Sequence, residues 1–320
     1  MKTLAFRVAL GVAAGIAVYV GFTVWADAGR VGTALSGFRP AAAGLALGLA
    51  FANYLVRFVR WQYYLRVLGL AVPAGESLLV FLAGFSLTVT PGKLGEAVKA
   101  FLLRESRGIP AARTAPIVVA ERLTDLVGLL LLACVGAFSF AVDRRFLGAG
   151  VVCVAVGLLV VSFEPLALGA LRLAARLPGL GRASPKLEEF YRTTRELVRP
   201  APLATAVGLS VVAWSFECLA FWIVVGGFPD AAVALRAATF IYATMTVAGA
   251  LSFLPGGLGV TEAGMLALLG RLGTGMGRGT AAAATFVTRA CTLWFAVAIG
   301  LAALAAFARR THVKVNLPPP

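Results

Sequence analysis

Residues 90–96 read TPGKLGE, and residues 255–262 read PGGLGVTE. Each stretch places a Pro-Gly turn, a further glycine and then a glutamate inside apolar sequence. Proline and glycine interrupt helices, and interrupted helices are tolerated at membrane depth where they line a cavity inside the protein. The two stretches therefore predict two helical hairpins whose turns face a common cavity. The turn residues are Pro91, Gly92, Gly95, Pro255, Gly256, Gly257 and Gly259.

The composition indicates the environment in which these hairpins fold. The chain of 320 residues is 60% hydrophobic and 13% charged, with a mean hydropathy of +0.91. These values indicate an all-α polytopic membrane protein and not a soluble domain. The net charge of +15 is then expected in cytoplasmic loops and against anionic lipid headgroups, and not on nucleic acid.

The sequence offers little material for a catalytic or metal site. Cys134, Cys153, Cys218 and Cys291 all lie in apolar stretches, and the single histidine is His312. Neither a His/Cys metal cluster nor a Ser-His or Cys-His catalytic pair can be built from these residues. We therefore expect no metal, no cofactor and no hydrolase activity.

Six further apolar segments are long enough, or nearly so, to cross about 30 Å of hydrocarbon. The two motif regions are instead divided into shorter halves, which predicts re-entrant hairpins; if all halves crossed fully, there would be ten crossings. The first segment resembles a signal peptide, but its apolar run is longer than a usual signal core and favours a retained span. The six segments are 4–25, 40–62, 114–141, 146–164, 202–226 and 281–308.

The order of spans and hairpins predicts an inverted repeat. Residues 1–141 give span, span, hairpin, span, and residues 146–308 give the same order in the opposite orientation. Many secondary transporters use this pattern. Lys and Arg are concentrated in the loops that this topology places inside, so both termini are predicted to be cytoplasmic. The basic linker 165–200 is predicted to contain an interfacial helix on the inner leaflet, with a solvated linker as the alternative.

Charged residues remain inside the apolar segments after the loops are set aside. Charges at that depth usually face a cavity or each other, so we expect either a paired structural network or the lining of a substrate path. The basic members are Arg57, Lys93, Lys99, Arg122 and Arg289, and the acidic members are Glu96, Glu121, Asp125, Glu217 and Glu262.

The glutamates that follow the turns lie where a helix begins, and free N–H groups and the helix dipole make such an end an anion site. Glu96 and Glu262 either cap these helix starts or belong to a binding site. Lys93 adds a donor at the first turn. Lys99 is a possible partner for Glu96, three residues away, and Arg289 is the best candidate partner for Glu262.

The remaining charges have separate expected roles. Glu121 and Asp125 are predicted on one helical face, and Glu217 is expected either to bridge the charged regions or to bind a cation. Arg57 and Arg60 lie one helical turn apart, where we expect them to snorkel to lipid headgroups at a cytoplasmic edge.

The ordered motifs TPGKLGEAVKAFLLRE, ERLTDLVGLLLL, FLPGGLGVTEAG and TRACTLW resemble the lysylphosphatidylglycerol synthase transmembrane domain family, also known as the flippase-like or UPF0104 group. The resemblance implies a protein of the bacterial or archaeal cytoplasmic membrane that moves polar-headgroup lipids between leaflets. Bifunctional members carry a soluble aminoacyl transferase domain, which this sequence lacks, so we expect no enzyme. The match carries over the turn residues named above, together with Glu96, Glu121, Arg122, Asp125, Glu262 and Arg289.

The first functional hypothesis is a translocator for an anionic or zwitterionic phospholipid, with a polyprenyl-phosphate-linked sugar or a hopanoid as alternative cargo. The phosphate would face the N–H groups at the turns, Lys93 and Arg289, and a cationic part would meet Glu96, Glu217 or Glu262. No Walker A sequence is present, so movement would be passive or coupled to an ion.

Two other hypotheses stay open. A secondary transporter for a small soluble anion would need a cavity closed to lipid. A membrane partner of a separately encoded glycosyltransferase or synthetase would use the basic linker as a docking surface. Membrane lipids are the expected partners in the first reading, and a homo-oligomer is compatible with all three.

Overall fold

A computed structural model describes residues 27–89, 98–137 and 184–311, together with isolated positions before residue 27. Within these ranges the regular secondary structure is helical apart from one isolated β-bridge between Ala232 and Thr274. The predicted all-α class is therefore confirmed for this part of the chain. The helices are α1 (Ala28–Ser36), α2 (Pro40–Val67), α3 (Ala74–Ala83), α4 (Val98–Arg107), α5 (Ala111–Ala137), α6 (Ser184–Leu197), α7 (Pro200–Gly226), α8 (Leu235–Leu251), α9 (Val260–Leu272), α10 (Arg278–Arg289) and α11 (Phe295–Thr311).

Parts of the predicted architecture lie outside the described residues. These are most of the predicted first span 4–25, the predicted crossing 146–164 and the linker before Ser184. The first Pro-Gly turn also lies outside them, with Pro91, Gly92, Lys93, Gly95 and Glu96.

Among the described residues, three helical stretches are long and apolar enough to cross a membrane, namely Pro40–Val67, Pro200–Gly226 and Arg278–Arg310. Each overlaps a crossing that the sequence predicts. Both α2 and α7 begin with a proline at the first helical position, where its missing N–H would have no partner in any case. Helix α5 is as long as α7, with 27 residues. It is less apolar because it contains Glu121, Arg122 and Asp125.

The long helices α2 and α7 pack antiparallel. The amide of Asn53 donates to the carbonyl of Ala213 at 2.7 Å, and near the other end the N–H of Arg39 donates to the carbonyl of Gly227 at 2.9 Å. A Cβ at Gly227 would lie 2.6 Å from the Phe38 ring, so the helices approach this closely only because the residue is glycine. Helix α5 packs against α7 as well and brings its charged segment to this pair.

The base of the first predicted hairpin is formed by α3 and α4. Helix α3 continues into the 3₁₀ turn Gly84–Leu87, and α4 runs back beside it. At one end Arg107 forms an ion pair with Glu76. At the other end a Cβ at Gly84 would lie 2.8 Å from Cγ of Lys99. The aliphatic part of the Lys99 side chain therefore packs directly on the backbone of Gly84.

The second hairpin is formed by α8 and α9. Its turn has positive φ at Gly256, Gly257 and Gly259, a conformation that glycine adopts at little cost. A methyl group at Gly249 of α8 would strike the hydroxyl of Thr261 on α9. With 17 and 13 residues, the helices are about 26 and 20 Å long, shorter than about 30 Å of hydrocarbon. The helical hairpin is present, while its re-entrant depth and the inverted repeat stay predictions.

A π turn, Ala290–Trp294, joins α10 to α11 within one continuous helical stretch. Single π turns inside α-helices are frequent at functional sites. This one directly follows Arg289. Beyond it α11 packs on the 3₁₀ turn after α3, where Gly300 lies against the backbone of Ser86.

The basic linker contains the helix that the sequence predicts, but its apolar face has a protein partner. Thr194, Leu197 and Val198 are buried, and α6 packs against α5. Arg192 and Arg199 are exposed on the other face. The apolar face predicted to lie on the inner leaflet is thus covered by the chain itself, and the helix's position at a membrane surface stays a prediction.

Candidate functional site

A cavity of about 210 Å³ lies between α5, α7, the turn of the second hairpin and the start of the π turn. Arg122, Asp125 and Arg289 line this cavity, and of these Asp125 and Arg289 are buried. Apolar side chains line the rest, and among these Phe253 and Leu254 of the hairpin turn are 71% and 44% exposed. The cavity therefore joins a charged interior to an apolar rim at the protein surface.

Asp125 is the centre of the charged interior. Its Oδ1 accepts a hydrogen bond from Nη1 of Arg60 at 2.6 Å and another from Nε1 of Trp214 at 3.0 Å. Its Oδ2 lies 3.8 Å from Nη2 of Arg57 and 3.4 Å from Nη2 of Arg122. In the described part of the chain, one carboxylate thus stands among three guanidinium groups.

Contrary to the sequence prediction, the side chains of Arg57 and Arg60 do not snorkel to a surface, and their position at a cytoplasmic edge stays a prediction. Arg60 is fully buried and Arg57 is 7% exposed. Both point toward Asp125, and Arg60 also donates to Ser210 of α7. The guanidinium of Arg57 lies over the ring of Phe85 at 5.1 Å. The two guanidinium groups lose their hydration when they are buried. The opposite charge of Asp125 and the aromatic ring face offset that loss.

Lys99 and Glu121 form a second buried contact, between α4 and α5. Their side chains are 2% and 0% exposed, and Nζ of Lys99 donates to Oε2 of Glu121. The ammonium also lies 4.8 Å from the centroid of the Trp61 ring. The structure pairs Lys99 with Glu121; Glu96, the partner that the sequence suggested, lies outside the described residues, so that contact stays a prediction. Glu121 and Asp125 share α5 but serve different partners.

Glu262 and Arg289 are paired, as the sequence predicts. Nε of Arg289 donates to Oε1 of Glu262 at 2.6 Å, and its Nη2 donates to the carbonyl of Gly256 at 2.6 Å. Oε2 of Glu262 accepts the N–H of Gly259 at 2.7 Å. Glu262 therefore caps the start of α9, which is one of the two expected roles, and also holds Arg289; its part in a binding site stays a prediction. Pro255 lies in the same turn.

Glu217 lies on α7, one helical turn beyond Trp214, and is not among the residues that line the cavity. Its Oε2 accepts a hydrogen bond from the hydroxyl of Tyr242 at 2.6 Å, which ties α7 to α8. Glu217 is 6% exposed. The predicted bridge between the charged regions and the predicted cation binding by this residue both stay predictions.

Sequence reasoning missed the two α7 residues that contact Asp125 or its partner. Ser210, Trp214 and Glu217 are spaced four and three residues apart, so they share one face of α7. This polar stripe in an apolar helix was the available signal. No sequence pattern marks Phe253, because it reaches the exposed rim of the cavity only through its position at the hairpin turn. Where the structure describes the chain, no three potential metal ligands lie together.

Comparison with known proteins agrees with this architecture. A family model for the lysylphosphatidylglycerol synthase TM region matches residues 12–300. A UPF0104 membrane protein of Methanothermobacter thermautotrophicus is 25% identical over 313 residues, which cover 90% of this chain and 91% of that protein. The chain is a multi-pass membrane protein, and it belongs to the lysylphosphatidylglycerol synthase TM region family.

Proposed function

We propose that this protein moves lipids with polar headgroups between the two leaflets of its membrane. The observation that carries the proposal is the division of the cavity into a charged interior and an exposed apolar rim. A lipid has the same division between headgroup and acyl chains. The headgroup would enter among Arg122, Asp125 and Arg289, while the chains would pass Phe253 and Leu254 into the bilayer.

The charged residues of the cavity would lower the main free-energy barrier to lipid flipping, which is the passage of the polar headgroup through hydrocarbon. A charged group at the bilayer centre costs about 3 kcal/mol on insertion scales, and more in simulations. Guanidinium groups lining a protein cavity replace part of the hydration that the headgroup loses. The protein would thereby lower the barrier for the headgroup while the chains never leave hydrocarbon.

Both hairpins contribute to the proposed movement. If α3–α4 and α8–α9 are equivalent halves of an inverted repeat, the cavity opens to one leaflet in one state and to the other leaflet in the alternate state. The exposed basic residues near the C-terminal ends of α2, α4 and α11 favour that end as cytoplasmic. They are Arg66, Arg104, Arg107, Arg309 and Arg310.

A soluble anion is the second candidate cargo, since three guanidinium groups around one carboxylate suit any anion. The exposed rim favours a lipid over this alternative. An aqueous path would gain nothing from Phe253 and Leu254, whose apolar side chains would face water at the entrance.

The proposal is tested in liposomes that contain fluorescent phosphatidylglycerol, with dithionite added outside. Wild-type protein should expose the inner-leaflet lipid to quenching. Thr246, partly buried on the cavity wall, is replaced with tryptophan to fill the cavity, and this variant should lose the activity.

Two controls separate blocking from misfolding. Thr246→Ala keeps the cavity open and should retain activity, as should Leu45→Trp on the exposed face of α2, where Leu45 is 61% exposed. Full activity of Thr246→Trp, with the protein correctly folded and inserted, would rule out this cavity as the route.

A further inference from the structure

The turn of the second hairpin contains a phenylalanine where the backbone favours glycine. Helix α8 ends at Leu251 with Ser252 as its C-cap. The next residue, Phe253, has a φ of 54°, in the left-handed region. Glycine is the usual residue directly after a helix C-cap, because it adopts this conformation without a clash of its Cβ. A bulky side chain at this position lowers the stability of the folded state.

Glycine occupies the other left-handed positions of the same turn. Gly256, Gly257 and Gly259 also have positive φ, so Phe253 is the exception among four such residues between α8 and α9, a segment that the structure describes throughout. Strain at a residue other than glycine persists where the surrounding structure or a function maintains it. Core packing does not explain the ring of Phe253, because the residue is 71% exposed.

Phe253 belongs to an apolar face of the turn, at the mouth of the cavity. Phe253 lines the cavity together with Leu251 and Leu254. The sequence contains no charged residue between Arg236 and Glu262. The exposed residues from 250 to 260 are all apolar, and we call them the turn face: Ala250, Leu251, Phe253, Leu254 and Val260.

The backbone beneath the turn face is hydrogen-bonded within the protein. The N–H of Ser252 donates to the carbonyl of Ala248 at 3.0 Å, and that of Phe253 to the carbonyl of Ala250 at 3.4 Å. The N–H of Leu254 donates to Oγ of Ser252 at 3.2 Å. Irregular backbone at membrane depth requires such partners, because hydrocarbon offers none. The turn face is therefore compatible with contact to hydrocarbon chains.

We propose that Phe253 is a positioning residue for the hydrocarbon chains of the transported lipid. Its ring contacts the chains at the cavity mouth while the headgroup occupies the cavity. The strained backbone is retained because glycine, which would relieve the strain, would also remove the ring. The proposal rests on the lipid-translocation function above and names the part of the lipid that the turn face recognises. Since the turn face carries no charge, this contact is independent of headgroup charge.

Three variants separate the ring from the backbone strain. Phe253→Gly removes both, Phe253→Asn keeps a polar side chain that tolerates positive φ, and Phe253→Leu keeps the strain and an apolar side chain. They are compared in liposomes with fluorescent phosphatidylglycerol or phosphatidylcholine. The first two should slow the flipping of both lipids about three- to tenfold, as expected when roughly half of the apolar contact of a phenylalanine side chain is lost. Phe253→Leu should stay within about twofold of wild type.

Thermal unfolding in detergent supplies a second readout that separates positioning from structure. Phe253→Gly and Phe253→Asn should raise the melting temperature by roughly 2–8 °C, because the left-handed backbone no longer carries a bulky side chain. A purely structural residue would not combine higher stability with slower transport. The matched control is Phe51→Ala on α2, where Phe51 is 45% exposed and does not line the cavity. This control should flip both lipids at the wild-type rate.

Contact with the chains is measured without transport by replacing Phe253 with p-benzoylphenylalanine and irradiating the protein in liposomes. Mass spectrometry should find adducts with lipid. Adducts with protein in their place would overturn the proposal, because another segment or a second copy of the chain would then cover the ring. A wild-type flipping rate in Phe253→Gly, or a melting temperature below wild type in either Phe253→Gly or Phe253→Asn, would overturn it as well.

The failure of this proposal is distinguishable from that of the translocation function. Lipid adducts at position 253 without lipid flipping by the wild-type protein refute translocation and keep the contact between the turn face and hydrocarbon chains. Flipping by wild type that Phe253→Gly does not change keeps translocation and refutes the role of the ring. Slower flipping of phosphatidylglycerol alone would refute a contact that is independent of headgroup charge.

Discussion

Replacing Lys99 with methionine should destabilise the protein strongly, although methionine keeps an apolar stem of similar length over Gly84. The change leaves the carboxylate of Glu121, whose side chain is 0% exposed, without the ammonium that contacts it. Removing one partner of a buried ion pair costs about 3–5 kcal/mol. The lost cation–π contact with Trp61 adds about 0.5–1 kcal/mol. At roughly 2–4 °C per kcal/mol, the melting temperature should fall by roughly 7–24 °C.

The assay is thermal unfolding of the purified protein in detergent, followed by circular dichroism. Glu121→Gln should lower the melting temperature comparably, because it leaves the ammonium of Lys99 buried beside a neutral amide. The double variant Lys99→Met with Glu121→Gln should recover most of the lost melting temperature, since neither side chain then carries an uncompensated charge. Single variants that melt within about 2 °C of wild type would refute the reasoning.

The pair Arg107–Glu76 is the matched control, because it joins the outer end of the same hairpin. Its side chains are 41% and 19% exposed, so water already solvates both partners. Arg107→Met and Glu76→Gln should each lower the melting temperature far less than Lys99→Met does. A loss as large as that of Lys99→Met would show that burial does not decide the effect.

Two further changes probe the second hairpin in the same thermal assay. Gly249→Ala should cost about 1–3 kcal/mol because its methyl group strikes the hydroxyl of Thr261; Thr261→Ala added to it should recover part of this, and no recovery would locate the strain elsewhere. Tyr242→Phe removes the hydrogen bond to buried Glu217 and should cost about 1–3 kcal/mol; a melting temperature equal to wild type would show that this bond does not hold α7 to α8.

Local sequence was sufficient to predict the second hairpin and its charged contact. The Pro-Gly-Gly turn ends α8, and Glu262 at the third position of α9 reaches back to its N-terminus, which is a local pattern. Arg289 was the remaining buried cation in that half of the sequence, so pairing by charge identified it. These features depend on composition and short spacing, which a single sequence displays.

Arg57 and Arg60 show what a single sequence does not display. Their position one turn apart near the end of an apolar helix is typical of snorkelling side chains. Their actual partner, Asp125, is 65 residues beyond Arg60, and only the packing of α5 on α7 brings it there. The fold likewise brings Glu121, 22 residues beyond Lys99, beside that lysine.

The linker helix α6 combines both cases. Its amphipathic spacing was visible in the sequence, and Thr194, Leu197 and Val198 are buried as that spacing requires. An apolar stripe does not specify whether a bilayer or another helix covers it. Here α5 covers it, a contact between distant segments of the chain.

The π turn Ala290–Trp294 sets the rotational phase between the two ends of the last long helix. A π turn accommodates one residue more than a continuous α-helix would, and each α-helical residue advances the helix by about 100°. Helix α11 is fixed on the 3₁₀ turn by the contact of Gly300 with Ser86. Shortening the π turn by one residue would therefore rotate α10 by about 100° and turn Arg289 away from Glu262. The one extra residue of the π turn thus lets a single helix contact the turn of the second hairpin at one end and the first hairpin at the other.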